Sequence, residues 1–144
     1  MKILVPLILV FITVILGLMF LNTDKAPYAK INGKTFSLYI AQTEQEREKG
    51  LSIFDSIPQN KGMLFIFEKE DYYTFWMKDM KFPIDIIFID KNKIVEIFKN
   101  VPVQKGNNLP TYSSKEKSDR VLEINAGLSD KYGFKKGDLV TIKL

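Results

Sequence analysis

Two residue types are missing from this 144-residue chain altogether: it has no cysteine and no histidine. Without cysteine there is no disulfide, no thiolate nucleophile and no cysteine to carry a lipid behind a leader. Without histidine, Ser-His and Cys-His catalysis and the ordinary zinc and copper sites are excluded, so neither a metal nor a cofactor is expected. Any catalysis would have to run on Asp, Glu, Lys, Arg, Tyr, Ser or Thr. Arginine is scarce too, with Arg47 and Arg120 alone, so the net charge of +4 comes from scattered lysines. Nucleic-acid binders cluster their basic residues and include arginine among them, so nucleic acid is not an expected partner. Attraction to an anionic membrane surface or wall polymer is the simpler reading of a mild positive charge. Two motifs also fail. Asp90-Lys91-Asn92 starts like a calcium loop, but its sixth position is Val95 and its twelfth Val101. Gly133 to Gly137 lacks phosphate-loop spacing.

What is present begins with a long apolar run. Residues 1–21 hold one charged side chain, Lys2. Ile3 to Leu21 would span about 28 Å as a helix, close to the bilayer core. It is longer than a signal-peptide core and ends without an A-x-A-like site, which favours an uncleaved signal anchor over a cleaved leader. Lysines flank both ends, so charge does not set the orientation. A short leading tail favours export of the rest of the chain. The expected organisation is a transmembrane anchor at 1–21, a polar linker at 22–27 and a single domain at 28–144, on the outer side of the cell membrane.

Within the domain, Asn32-Gly33 between Tyr28–Ile31 and Lys34–Ile40 predicts a type I′ hairpin. Phe36, Leu38 and Ile40 share the core face of its second strand. Thr43-Glu44-Gln45-Glu46 is a capping-box pattern opening a helix of about two turns that stops at Gly50. Strands are expected at 63–67, 72–77, 84–90, 94–98, 120–125 and 139–144, with a possible helical turn at 126–132. The polar stretch 101–119 reads as a long loop, functional or mobile. The sum is a mostly β (α+β) domain. It is expected to be a compact antiparallel β barrel or rolled sheet with one or two short helices, preceded by a transmembrane helix.

Five segments in this order carry a resemblance: Arg47-x-x-Gly50-Leu51, Gly62-Met63-Leu64-Phe65-x-Phe67, Phe75-Trp76-Met77-Lys78, Pro83 to Asp90, and Val121-Leu122-Glu123-Ile124-x-Ala126-Gly127. Together they resemble the domain of unknown function 192 family across nearly all of the chain after the linker. The resemblance implies a small secreted or membrane-anchored domain with a compact β-rich fold, and it implies no reaction. The chain departs from the usual pattern after Lys78, with Asp79-Met80 where the family commonly shows Asn-Thr.

The ligand-binding candidates are Arg47, Trp76, Lys78, Asp85 and Glu123. Alternation from Ile84 to Asp90 puts Asp85 with Ile87 and Ile89, opposite Ile84, Ile86 and Phe88. A carboxylate among isoleucines needs a cation or several N–H donors. It is either a ligand-binding or acid/base group, or half of a salt bridge to Arg47 or Lys78. Glu123, with Val121 and Asn125 on its face, is either a solvated residue or a second site carboxylate. Trp76, with Phe75, Tyr72 and Tyr73, is either a stacking platform or core, and Lys78 is either an anion partner or solvated. The resulting reading is a membrane-anchored extracytoplasmic domain, monomeric, that binds a glycan, peptide or small molecule. One alternative is an acid/base hydrolase of a wall or extracellular glycan, using Asp85 and Glu123. That alternative requires the two carboxylates about 5–10 Å apart over an open cleft. The other is a structural partner in an envelope complex. Whether the protein is an enzyme stays open.

Overall fold

Asn32 and Gly33 both take positive φ, 46° and 80°, and turn β1 (Tyr28–Ile31) into β2 (Lys34–Ala41) as an antiparallel pair. The structure is a computed structural model that describes residues 26–106 and 108–144. After β2 the capping box forms as expected and starts α1 (Glu44–Lys49). The Glu46 carboxylate accepts from the Gln42 and Thr43 amides at 2.9 Å each, and the Thr43 hydroxyl accepts from the Glu46 amide at 3.2 Å. Those bonds to the charged form hold the Glu46 carboxyl below its usual range. Gly50 then ends the helix with a φ of 49°, and a Cβ there would lie 3.2 Å from the Phe65 ring. A 3-10 turn, Gly50–Ile53, leads on toward β3 (Lys61–Asp71).

The remaining elements are β4 (Thr74–Trp76), β5 (Ile84–Asp90), β6 (Lys93–Val101), β7 (Thr111–Ser113), β8 (Ser118–Asn125), α2 (Leu128–Lys131) and β9 (Val140–Lys143). Seven strands form one sheet in the order β6-β5-β8-β3-β2-β1-β9, and β4 pairs with β7 in a separate ribbon. Two expectations are corrected here. The sheet is not wholly antiparallel: β2 and β3 run parallel, because α1 and the turn after it carry the chain back to the start of the sheet. Nor is it a closed barrel. The sheet curls, and its edge strands β6 and β9 meet only near Lys93 and Leu139 among the described residues. There Ile94 donates to the Asp138 carbonyl and Val140 to the Asn92 carbonyl.

Both faces of this sheet are buried. Inside the curl lie Ile31, Phe36, Leu64, Ile87, Ile89, Leu122 and Ile124, closed off by Leu128 and Phe134. On the outer face lie Met63, Phe65, Ile84, Ile86, Phe88 and Val121, covered by Leu51, Met77, Met80 and Phe82. That double burial explains why every residue from Ile84 to Ile89 is buried although the strand alternates. Packing is tight at Gly62, where a Cβ would sit 2.6 Å from the Glu123 carbonyl oxygen and 2.9 Å from Ile124.

The anchor expected at 1–21 lies outside the described residues, as does most of the 22–27 linker. No helix among the described residues is long and apolar enough to cross a membrane. The longest, α1, has six residues and reaches about 9 Å, against roughly 30 Å of hydrocarbon. Among the described residues the expected transmembrane helix therefore has no counterpart. Membrane anchorage, the membrane as a partner and a single-pass placement outside the cytoplasm find no support in the described residues and are not carried forward.

Candidate functional site

Asp85 is fully buried and lies on the inner face, opposite Ile124 of β8. Its Oδ1 accepts from the Asn100 amide at 2.8 Å and the Gly127 amide at 3.1 Å, and its Oδ2 accepts from the Ser129 amide at 2.7 Å. The carboxylate therefore caps the first turn of α2 from a remote strand and pins the end of β6, where Asn100 takes a φ of 53°. No salt bridge joins Asp85 to Arg47 or Lys78 among the described residues. The need for partners was legible, but three backbone N–H groups meet it instead of a cation.

Glu123 projects the other way. It stands opposite Met63 of β3 and Ile86 of β5, on the outer face. Since successive residues of a strand alternate, and Asp85 faces Ile124, the two carboxylates lie on opposite sides of the sheet. They cannot share a cleft, so the acid/base hydrolase reading is corrected. The solvated alternative for Glu123 fails as well: it is only 4% exposed. Its carboxyl makes no hydrogen bond or ion pair among the described residues, and burial alone pushes its pKa up to about 8. That shift favours the protonated, neutral acid at neutral pH.

That acid lies at the floor of a pit of about 30 Å³, whose walls include Arg47, Phe65, Phe75, Trp76 and Lys78. The pit shares Trp76, Lys78 and Met80 with one neighbouring lobe and Arg47, Glu48, Phe65, Phe75 and Trp76 with another, and together they are taken as one groove. An aromatic lobe of about 420 Å³ is lined by Phe65, Phe67, Tyr73, Phe75 and Trp76, with Glu44, Arg47 and Glu48 at its rim. A second lobe of about 740 Å³ is lined by Trp76, Lys78, Asp79, Met80 and the chain after β6, including Lys105. Trp76 lines the pit and both lobes and is half exposed, while Phe75 on the other side of β4 packs edge-on against Phe65 and Phe88. Trp76 is thus platform, while Phe75 packs on the core and still lines the groove.

Three cations, Arg47, Lys49 and Lys78, line the pit, and two of them stand against aromatic rings. The Lys78 ammonium lies 5.2 Å from the Trp76 ring centroid. Arg47 uses Nη1 to donate to the Gln42 carbonyl and, at 3.2 Å, to the Ile66 carbonyl, and its guanidinium stands 5.1 Å from the centre of the Phe67 ring. Its other N–H groups have no acceptor among the described residues. Asp79 takes a φ of 57°, a conformation Asp and Asn tolerate better than most residues.

The structure therefore brings Arg47, Trp76, Lys78 and Glu123 together and separates Asp85 from them. Sequence reasoning missed Phe65 and Phe67 as groove walls, because both sit in what reads as an ordinary core strand. It also missed Asn100, Gly127 and Ser129 as the donors to Asp85, since nothing local in the sequence points from them to a residue 15 to 44 positions away.

A family model, DUF192, described as "Uncharacterized ACR", matches residues 28–142. Among solved structures, the chain is similar to a protein of unknown function from Novosphingobium aromaticivorans. The TM-score is 0.71 with 28% identity, covering 83% of this chain and 89% of that one. It is likewise similar to a candidate transcription regulator from Sinorhizobium meliloti, with a TM-score of 0.71 and 29% identity, covering 81% of this chain and 94% of that one. No curated protein matches the chain.

Proposed function

The chain belongs to the DUF192 family, and from that premise we propose that its domain is a small-ligand binding module read by Glu123 and Trp76. The observation that carries this is an acid only 4% exposed, with no hydrogen-bond partner among the described residues, lining an opening to the surface. A carboxyl whose charged form is disfavoured by burial and which faces a surface opening is a site candidate on physical grounds. A neutral acid is a donor, so Glu123 gives a hydrogen bond to an acceptor atom that reaches the pit. Trp76 supplies a flat wall for the body of the ligand, and a lobe of about 420 Å³ falls in the size range of small-molecule sites. Arg47 and Lys78 complete the set from the sides. Asp85 has a structural role and lies outside the module.

The test is a fragment screen on the full chain, read at the indole N–H of Trp76, a unique signal because there is one tryptophan. Hits should move that signal and lose affinity in Glu123→Ala. Hits that bind equally well to Glu123→Ala would remove the reading.

A further inference from the structure

We propose that the groove selects a small planar carboxylate, with its aromatic or conjugated body in the lobe beside Trp76 and its carboxylate over the pit. This rests on the binding module described above. Three observations carry it. First, the charged groups lining the pit are Arg47, Glu48 and Lys49 of α1 and Lys78 of the segment after β4, so cations outnumber the one ionised carboxylate there. The strand neighbours of Glu123, Met63 and Ile86, are apolar. Second, Arg47 is held in place by two backbone carbonyls and keeps unused N–H groups, the fork geometry that matches a carboxylate. Third, Glu123 offers an acid proton with no acceptor among the described residues, and a ligand carboxylate is the acceptor that gains most from a neutral acid donor. A cationic ligand would meet Arg47 and Lys78 with like charge. Glu44 and Glu48 stand at the rim of the aromatic lobe, so a second negative charge at the far end of the ligand is disfavoured. The class is therefore a monocarboxylate with a flat, apolar body.

The site reads protonation in a defined direction. The ligand must be ionised and Glu123 must be protonated. Affinity should rise as the ligand ionises near pH 4, as ordinary carboxylic acids do. It should hold at neutral pH and fall above about pH 8, where Glu123 gives up its proton. A neutral ligand lacks the lower limb.

Benzoate and benzamide are the probes, since they differ only in the head group. Binding to the full chain is followed at the Trp76 indole N–H and at the carboxyl carbon of Glu123. Benzoate should bind at least about tenfold more tightly than benzamide at pH 6.5, the value of one charge-assisted bond pair. Arg47→Gln should remove about that factor for benzoate and leave benzamide unchanged. Above about pH 8 benzoate affinity should drop in the wild type and stay flat in Glu123→Gln, which keeps a donor but cannot ionise. The pH profile needs no change at Arg47, so it stands even if Arg47→Gln fails to fold. Benzamide binding as tightly as benzoate, or a flat wild-type profile across pH 8, would overturn the carboxylate assignment and leave the binding module standing. If neither probe moves either signal, and the fragment screen also leaves Trp76 unmoved, the module fails and the assignment with it.

Discussion

Removing the Asp85 carboxylate should be among the most damaging single changes in this domain. Asp85→Ala leaves the amides of Asn100, Gly127 and Ser129 without their acceptor. A stranded buried donor costs about 1–3 kcal/mol. The Ser129 bond is buried, while the other two are part-buried, so water recovers some of their loss. The expected total is about 3–5 kcal/mol. Asp85→Asn separates geometry from charge. Its amide oxygen can take over the two bonds made by Oδ1, but its NH2 then faces the Ser129 N–H, donor against donor. That should cost about 2 kcal/mol. Urea denaturation of the three proteins, with equal m-values as the check on two-state behaviour, gives both numbers. An Asp85→Ala loss below about 1 kcal/mol, the range of an ordinary surface change, would refute the capping role.

Other outcomes come from separate parts of the fold. Asp85→Ala and Arg47→Ala should be additive in urea melts within about 0.5 kcal/mol, since the two side chains serve opposite faces of the sheet. Gly62→Ala should destabilise by about 2–3 kcal/mol through the clash with the Glu123 carbonyl, measured as a lowered urea midpoint. Thr43→Ala should cost about 1 kcal/mol by opening the capping box. Glu123 has a folded pKa of about 8 against an ordinary glutamate value of 4.5, so between those values the unfolded chain has lost a proton that the folded protein keeps. Stability should therefore fall as pH rises through that window and level off above it. Glu123→Gln should lack this slope in melts at pH 5, 6.5 and 8, and a parallel slope in the variant would contradict the assignment.

Local signals carried much of the fold. Asn32-Gly33 and Thr43 to Glu46 each specify their element through bonds made within a few residues, and both form as expected. Alternation also sorted Asp85 and Glu123 onto faces correctly, since period two needs no knowledge of the partner strand. What alternation cannot show is what covers a face. Glu123 reads equally as solvated or as a site carboxylate until Leu51, Met77 and Met80 are seen to cover the outer side of the sheet. The parallel β2–β3 pair was hidden for a similar reason. The helix that α1 makes is legible, but the direction in which the chain returns depends on tertiary contacts. The 101–119 stretch, expected as a loop, contributes β7, a three-residue strand whose partner β4 lies 37 positions back in register at Phe75 and Tyr112. The second lobe is lined in part by Val103 to Gly106 and by Asn108, Leu109 and Thr111, a stretch with no apolar alternation to mark it.

The site turns on one acid being neutral at the floor of the groove, and the carbon-13 chemical shift of the Glu123 carboxyl measures that directly. Followed from pH 4 to pH 10 in the folded protein, it should titrate near 8, and the Trp76 indole N–H should shift in the same step. A midpoint near the ordinary glutamate value of 4.5, with Trp76 unmoved at higher pH, would mean that the acid is ionised and solvated at neutral pH, and the site as described would not exist.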